Sequence, residues 1–467
     1  MAKSATTFFS QDFQTLPMHK TWTFQIITFG CKVNQYESQA IREAWIRAGA
    51  YECRKASEAE IIVVNSCAIT AKGERDARQM LARLRRKAPQ AKLLLTGCAA
   101  RLLAQNTRLP ADYDLILAPN DKALLLEPET WLARLSHKEL NALQDKPALY
   151  PPFQISRFKR ARPVLKVQDG CTHRCTYCIV PTLRTHATSR SPAEVVDEAK
   201  RLIHQGYSEL ILSGINLKQY GKGTTYGDFW NLLRILDSEL HAYSGRVRLR
   251  ISSVEPSQLT ARGLATLKDC HLLCPHLHIS LQHASRKILR RMGRGHYKAQ
   301  DLAQALTEIA TFWPVFGLGC DIICGFPGEE EEDHVELLDF CTQMPFTYAH
   351  VFPYSPRPGT AAATFPERVS EKIQARRSLQ LRNLFQKKNR AFREKLLAQN
   401  IPLKIVLEGE KGVCTKGVSE YYIACTLLQD YPQITEKRHA LLEVKICALN
   451  EKGLTVTPIC DEKPPKR

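Results

Sequence analysis

Six β-like runs alternate with helical patterns through the middle of this 467-residue chain, and few folds accommodate that alternation. The runs are PVLKVQDG, SELILSGIN, VRLRISSVEP, HLHISLQ, LGCDIICGFPGE and YAHVFPYSP, and most of them lead through a loop into a helical pattern. Repeated βα units build parallel sheets, because a crossover helix returns the chain to the same end of the sheet. Six units are fewer than the eight of a closed barrel, so the pattern predicts a curved, partial (β/α)6 barrel.

The chain on either side of these units predicts two further domains. The runs TWTFQIITFGC, EAEIIVVNSC and AKLLLTGC, separated by helical patterns, indicate an α/β domain with a parallel sheet. Short strand-like runs near the C-terminus, among them YYIACTL and GLTVTPI, indicate a small β-barrel. We therefore expect this division of the chain: a tail over residues 1–21, a parallel-sheet domain over 22–144, a linker over 145–163, the partial barrel over 164–399 and the β-barrel module over 400–467.

The charge balance favours a polyanionic partner. Lys and Arg number 66 against 47 Asp and Glu, which gives a formal charge of +19, and nucleic acid is the first candidate for such a protein. Basic helical patterns at 75–87 and 372–395 are candidates for phosphate contacts, with a solvated surface as the alternative. Tyr421 and Tyr422 are candidates for contacts with RNA bases, with simple packing as the alternative. The absence of an apolar run of about 18 residues predicts no membrane span and a cytoplasmic location.

Three cysteines in the stretch DGCTHRCTYCIVP form the most specific motif of the chain. Cys171, Cys175 and Cys178 are spaced C-x3-C-x2-C. Three thiolates can fix three irons of a [4Fe-4S] cluster and leave the fourth iron open to a small molecule. The motif follows the first barrel strand, at the end where barrel enzymes hold their active sites. The alternative is zinc, which would need a fourth ligand such as His173 or His186.

A second set of cysteines is spread along the first domain. Cys31, Cys67 and Cys98 each come just after a predicted strand of the parallel sheet. Adjacent strands lie about 4.8 Å apart, so thiols at their carboxyl ends can converge on one site. Their spacing in the sequence does not by itself indicate a metal cluster.

These motifs resemble, in the same order, those of the radical S-adenosylmethionine (SAM) methylthiotransferase family. The C-x3-C-x2-C motif with Tyr177 before its last cysteine is the signature of radical SAM enzymes. The runs CTYCIVP, LILSGINLKQYG, RISSVEP, LHISLQ, DIICGFPGE and HVFPYSPRPGT look like the family's strand-end motifs. TFGCKVNQYESQAI, VVNSCAIT and LLLTGCAA resemble its first domain. The resemblance covers about residues 22–399 and is weaker in the last module, which is similar to a divergent TRAM domain.

The resemblance implies an enzyme with a radical SAM barrel, two [4Fe-4S] clusters and SAM. Cys171, Cys175 and Cys178 would hold the cluster whose open iron binds SAM. Cys31, Cys67 and Cys98 would hold a second cluster that carries the sulfur to be inserted. The reaction would replace a C–H bond with C–S–CH3. The remaining residues that the resemblance assigns to SAM binding are Tyr177, Ser213, Gly214, Gln282 and Gly325. Gly325 and Gly328 would allow the backbone to approach the ligand closely. Beyond the cluster ligands, the resemblance identifies no catalytic residue.

The substrate is indicated by the segment GCKVNQYES. Its Lys32, Val33 and Asn34 are similar to the family branch that acts on N6-threonylcarbamoyladenosine next to the tRNA anticodon, the MtaB type. The alternatives are N6-isopentenyladenosine in tRNA, an aspartate of a ribosomal protein, and a non-catalytic iron–sulfur RNA-binding protein. The implied partners are tRNA, an electron donor such as flavodoxin or ferredoxin, and a sulfur source, and we expect a monomer.

The chain departs from the family's pattern at a few strand ends. Arg184 is kept, but Thr185 stands where the family usually has glycine, and LQHAS and GCAAR replace the more usual continuations. None of these changes removes a proposed cluster ligand. They concern the detailed shape of the pockets.

Overall fold

The computed structural model describes residues 21–68, 71–105, 113–128, 150–408, 415–429 and 439–459. The expected tail, apart from residue 21, and the first part of the expected linker lie outside these ranges. Within them no helix is both long enough and apolar enough to span a membrane.

The first domain is a five-stranded parallel sheet with the strand order β2-β1-β3-β4-β5. Alternate side chains of β3, the central strand, pack into two different hydrophobic cores, because helices cover both faces of the sheet. This double burial explains why the strand reads as a continuous apolar run. The strands are β1 Thr23–Thr28, β2 Tyr51–Glu52, β3 Ile61–Ser66, β4 Lys92–Gly97 and β5 Leu115–Ile116, and the helices are α1 Lys32–Arg47, α2 Ala71–Lys87 and α3 Cys98–Gln105.

The second domain is the partial six-stranded barrel that the alternation predicts, and that prediction is confirmed. Its strands are β6 Val164–Lys166, β9 Glu209–Ser213, β10 Arg248–Ile251, β11 His276–Gln282, β12 Gly317–Cys324 and β13 Tyr348–Pro353. All their pairings are parallel and form two three-stranded halves, β6-β9-β10 and β11-β12-β13. Two isolated bridges beside β10 and β11 join the two halves. Over the described residues β6 and β13 do not pair, so the barrel is open between them.

The barrel's helices and a short ribbon complete the second domain. The ribbon, β7 Gln168–Asp169 with β8 Thr188–Ser189, is antiparallel and brackets the three-cysteine loop. A capping box formed by Ser191 and Glu194 begins the second of the helices. The helices are α4 Val180–Leu183, α5 Pro192–His204, α6 Phe229–Glu239, α7 Ala261–Asp269, α8 Arg286–Arg291, α9 Ala299–Phe312 and α10 Glu331–Gln343.

The described part of the expected linker, residues 150–163, is packed between the first two domains. Phe153 and Ile155 are buried in the main core. The Tyr36 hydroxyl of α1 donates to the Phe153 carbonyl at 2.8 Å, and the Ile155 N–H donates to Glu198 of α5 at 3.0 Å. This segment therefore fixes the first domain against the barrel.

The chain ends in a long helix and a closed five-stranded barrel, which confirms the expected β-barrel module. The helix is α11 Glu371–Ala398, and the strands are β14 Leu403–Glu408, β15 Lys416–Ser419, β16 Ala424–Leu427, β17 Leu441–Leu449 and β18 Leu454–Pro458. The turn after β15 lies against the base of the larger barrel, where Arg250 donates to the carbonyls of Ser419 and Glu420, each at 2.9 Å. Tyr422 packs there too, its ring 5.4 Å from the Arg250 guanidinium.

Candidate active site

The three-cysteine loop leaves the ribbon at the carboxyl end of the barrel and is held by backbone hydrogen bonds at both of its ends. The Cys171 N–H donates to the Arg184 carbonyl at 3.1 Å. The Thr176 N–H donates to the Met292 carbonyl at 3.0 Å, and the Thr176 hydroxyl donates to a neighbouring carbonyl of α8 at 2.8 Å. These hydrogen bonds therefore fix the loop to the rest of the barrel.

Gly170 sets the direction of this loop, and its replacement by alanine should be strongly destabilising. Its φ is +72°, and a Cβ there would lie 1.7 Å from the carbonyl oxygen of His186. Gly206 is a matched control because its φ is +88° with nothing within 4 Å of such a Cβ. Gly206→Ala should lower the unfolding free energy by about 1–2 kcal/mol, the usual cost of the left-handed conformation. Gly170→Ala should exceed that loss clearly in urea denaturation, and equal losses would show that the clash is relieved without cost.

A cleft of about 150 Å³ opens beside the loop, between the carboxyl ends of the strands. Two donors in it point at the thiol sulfurs: the Asn216 amide is 3.6 Å from Cys171 Sγ, and the Arg294 guanidinium is 3.8 Å from Cys175 Sγ. Arg294 Nε is buried with no hydrogen-bond partner in the described structure. Such donors suit sulfurs that carry negative charge.

The cleft also contains an ionised carboxylate. Although burial opposes ionisation, the hydrogen bond from His173 and the charge of Arg294 lower the pKa of Glu255 to about 2. The cleft thus offers an anionic group beside the thiols, with which a ligand's cationic or hydroxyl groups can pair. Burial raises the pKa of the Cys178 thiol to about 12, so this cysteine needs a bound cation to become a thiolate at neutral pH.

The residues that the resemblance assigns to SAM binding fall into two groups. Tyr177, Gly214 and Gln282 line the cleft together with the three cysteines. Ser213 is buried at the end of β9, where its carbonyl accepts from the Val167 N–H at 2.9 Å, and it does not line the cleft.

The two glycines after β12 also lie away from the cleft lining. A Cβ on Gly325 would meet the Gln374 side chain of α11 at 2.3 Å, and one on Gly328 would meet the Arg291 side chain at 2.7 Å.

Sequence reasoning missed Asn216, Glu255 and Arg294. Asn216 and Glu255 lie in the loops that follow β9 and β10, within the runs SGIN and SSVEP, and that position was an available signal. Arg294 lies between two helices and had no such signal.

The second set of cysteines is gathered at the carboxyl edge of the first domain's sheet. Cys31 precedes α1, Cys67 follows β3 and Cys98 begins α3, and the three preceding strands are neighbours in the sheet. A Cβ on Gly30 would lie 2.8 Å from Cys67 Sγ, so the backbone next to Cys31 runs close to Cys67. Burial raises the pKa of Cys31, and the nearby Cys98 raises it further.

The spacing of the sulfurs distinguishes a cluster from a single metal ion. Zn–S bonds of about 2.3 Å in a tetrahedral site place sulfurs about 3.8 Å apart. In the described ranges neither set of three thiols has all its sulfurs within 4.8 Å of one another. Wider spacing suits a cube, whose thiolates bind separate irons. The residues therefore fit [4Fe-4S] clusters better than the zinc alternative with His173 or His186.

A buried network of charges lies between the two sets of cysteines. Glu37 of α1 accepts from Lys166 at 2.7 Å and Arg184 at 2.9 Å, and also pairs with Lys122. Asp169 pairs with Lys166 and Arg184, each at 2.6 Å. Three cations face two carboxylates, which leaves one positive charge in excess.

Arg184 connects this network to both cysteine sets. Its carbonyl accepts from Cys171, as described above, and its guanidinium lies 3.4 Å from the Asn34 side-chain oxygen. Asn34 in turn donates to the Ser66 carbonyl at 2.9 Å, next to Cys67. The charge of Arg184 favours the thiolate of Cys31. The excess positive charge thus lies where thiolates of the first domain's set, Cys31 and Cys98, would need it.

Comparison with known proteins identifies both cysteine-bearing domains. The model of the Radical SAM superfamily matches residues 165–341, and that of the Uncharacterized protein family UPF0004 matches residues 23–118. Among solved structures, the radical S-adenosylmethionine methyltransferase TsrM from Kitasatospora setae is similar with a TM-score of 0.54 at 15% identity, over 74% of this chain and 77% of that one. That likeness concerns the fold alone.

Curated relatives extend over most of the chain. Threonylcarbamoyladenosine tRNA methylthiotransferase MtaB of Bacillus subtilis is 34% identical over 75% of this chain and 77% of its own length. MtaB of Thermotoga maritima is 32% identical over 86% and 90%. The tRNA-2-methylthio-N(6)-dimethylallyladenosine synthase of Pelotomaculum thermopropionicum is 30% identical over 83% and 87%. The chain is therefore an enzyme of the radical SAM methylthiotransferase family and belongs to its MtaB type.

Proposed function

We propose that the protein adds a methylthio group to C2 of N6-threonylcarbamoyladenosine next to the anticodon of tRNA. The observation that supports the proposal is that two sets of three thiols are connected through Arg184, because three thiolates can hold a [4Fe-4S] cluster and leave its fourth iron open. The names of the MtaB relatives support the choice of nucleoside. The exposed basic side chains of α2 and α11, among them Arg83 and Lys387, support an RNA substrate.

In this proposal each cysteine set has a separate task. Cys171, Cys175 and Cys178 hold one [4Fe-4S] cluster beside the cleft, and Cys31, Cys67 and Cys98 hold the other at the edge of the first sheet. When bound, the clusters and SAM would supply the radical, the sulfur and the methyl group that replacement of an unactivated C–H bond by C–S–CH3 requires. An electron donor such as flavodoxin or ferredoxin and a sulfur source complete the reaction.

The protein's own residues bind and orient in this scheme. Asn216 and Arg294 stabilise the thiolates of Cys171 and Cys175 by donating to their sulfurs. Glu255 accepts from the donor groups of SAM, and Tyr177 and Gln282 form the walls that position it. Arg184 keeps the two sites in fixed relation, because its side chain is held by carboxylates from both domains.

Mass spectrometry of tRNA nucleosides tests the proposed substrate. A strain that lacks this gene and has no paralogue should accumulate N6-threonylcarbamoyladenosine without its 2-methylthio group. Complementation with the wild-type gene should restore the group, and a gene encoding Cys175→Ala should not. Persistence of the methylthio group in the deleted strain would refute the substrate assignment. Its loss from N6-isopentenyladenosine instead would favour the other tRNA branch.

A further inference from the structure

Three side chains from neighbouring strands of the barrel meet at one point, and none of them is a cysteine. His278 of β11, Asp321 of β12 and His350 of β13 each place a ligand atom within 4.8 Å of the other two. In the described part of the chain no other three histidine, cysteine, aspartate or glutamate side chains do so. A neutral imidazole and an ionised carboxylate are both ordinary ligands of divalent metal ions.

The pairing of the strands explains why these residues meet. Asp321 and His350 are direct partners in the parallel register of β12 and β13. Their sequence neighbours Cys320 and Val351 belong to the main hydrophobic core, and successive residues of a strand face opposite sides of the sheet. The two polar side chains therefore point away from that core. The Asp321 side chain is 26% exposed and His350 is exposed, so an ion can reach them from solvent.

His278 lies between the base of the barrel and the cleft. His276, two residues earlier on β11, packs on Tyr422 at the base, with ring centroids 5.0 Å apart. Ser280, two residues later on the same strand, lines the cleft. His278 therefore belongs to the layer of the barrel directly below the cleft.

The closest two ligand atoms have the spacing of neighbouring ligands on one metal ion. His278 Nε2 lies 3.0 Å from Asp321 Oδ1. Two metal–ligand bonds of about 2.1 Å that meet at a right angle place their ligand atoms about 3 Å apart. The ring centroids of His278 and His350 are 5.2 Å apart, and the exposed ring of His350 can turn a nitrogen toward the same point.

The other nitrogen of His278 makes the kind of hydrogen bond that orients histidine ligands. Its Nδ1 shares a hydrogen bond with the Tyr348 hydroxyl at 3.0 Å, and that hydroxyl also bonds to His276 Nε2 at 2.9 Å. With the hydrogen on Nδ1, the ring is held in place and Nε2 presents its lone pair to a metal ion. Tyr348 is therefore a positioning residue for this group.

We propose that His278, Asp321 and His350 bind a divalent first-row transition-metal ion inside the barrel. Two imidazoles and one carboxylate occupy one half of an octahedron and leave the other half open to water or to oxygen atoms of a ligand. A set of nitrogen and oxygen ligands favours ions such as Mn²⁺, Fe²⁺ and Zn²⁺ over the softer Cu⁺. This site is additional to the two proposed clusters, and it does not depend on which nucleoside is the substrate.

Titration with Mn²⁺ tests the site in the full-length, cluster-loaded protein. A brief wash with EDTA first removes singly bound ions, and the same wash before any iron count keeps this site from adding to the iron of the clusters. Free Mn²⁺ is then measured by EPR, because the oxidised clusters give no signal and thiols bind this hard ion weakly. The wild type should bind one Mn²⁺ per chain, and pulsed EPR should show couplings to two imidazole nitrogens.

Three variants examine the ligands one at a time. Asp321→Asn keeps the shape of the side chain, and His350→Ala changes an exposed residue, so both should fold. Each should weaken Mn²⁺ binding at least about 10-fold, and His350→Ala should lose one of the two nitrogen couplings. Tyr348→Phe should weaken binding roughly 10- to 100-fold and keep both couplings, since it removes only the hydrogen bond to His278.

His271→Ala is the matched control, because it removes an exposed histidine that lies beside another histidine elsewhere in the barrel. It should leave Mn²⁺ binding unchanged. A wild type that binds no stoichiometric Mn²⁺, or an Asp321→Asn variant that binds it as well as the wild type, would overturn the inference. His278 and Asp321 would then form an ordinary hydrogen bond. Neither result bears on the proposed function, which tRNA nucleosides test.

Discussion

Replacing Cys31, Cys67 and Cys98 together by alanine should remove about four of about eight irons per chain, as expected if each cysteine set holds one [4Fe-4S] cluster. Reductive cleavage of SAM to 5′-deoxyadenosine should continue, because Cys171, Cys175 and Cys178 and the cleft beside them are unchanged. Transfer of the methylthio group should fall below detection, since the sulfur would have no site. Iron content, deoxyadenosine formation and modified nucleoside are measured on the same preparation.

Cys53→Ala is the matched control for this variant. Cys53 belongs to the same domain, and its Sγ lies 3.3 Å from the Glu58 carbonyl, away from the sheet edge that gathers the three cysteines. Its replacement should leave the iron content and both activities unchanged. An unaltered iron content in the triple variant would mean that these three cysteines hold no cluster.

Glu37→Gln should be the most destabilising single substitution among those considered, by about 3–5 kcal/mol in urea denaturation. It would leave Lys122, Lys166 and Arg184 buried with Asp169 as their remaining carboxylate. Unpaired buried charge is the physical reason for so large a loss. A loss below about 1 kcal/mol would show that water or an anion enters the network.

The ion pair of Glu52 with Arg42, at 2.8 Å and partly accessible to water, supplies the comparison. Glu52→Gln should cost at most about 1 kcal/mol, because a pair in contact with water gains little.

The pH dependence gives a second readout for Glu37. Burial opposes its ionisation, but Arg184, Lys122 and Lys166 hold its pKa well below the ordinary value of 4.5. Its stabilising contribution is therefore present above about pH 4.5 and is lost as the pH falls through the lower folded value. The difference in stability between wild type and Glu37→Gln should narrow in that acidic range.

Local patterns in the sequence were sufficient to predict the layout of the fold. Alternation of β-like and helical runs predicted both parallel sheets, because crossover helices impose parallel strands. The same rule brought Cys31, Cys67 and Cys98 to one edge, since parallel strands that are neighbours end together. The partial barrel, the small β-barrel and the long basic helix also follow from patterns within a few turns or strands.

Contacts between distant residues could not be predicted in this way. The Glu37 network joins α1 to β6, β7, the end of α4 and the segment around Lys122, and no periodicity marks such partners. Residues 150–163 read as a linker because of their prolines and charges, yet Phe153 and Ile155 fill the core between the domains. Tyr422 lies against Arg250 and Arg162 at the base of the barrel. Its ring therefore packs inside the protein, as in the alternative interpretation of this residue, and does not form a free surface for RNA.

We propose that each set of three cysteines holds its own [4Fe-4S] cluster. Mössbauer spectroscopy of the wild-type protein, reconstituted with iron-57 and sulfide without oxygen, tests it most directly, with iron and sulfide counted on the same sample. We expect about eight irons per chain, all in [4Fe-4S] clusters, with the spectrum of one cluster perturbed when SAM is added. About four irons per chain in a single cluster, or iron that is not in cubes, would contradict it.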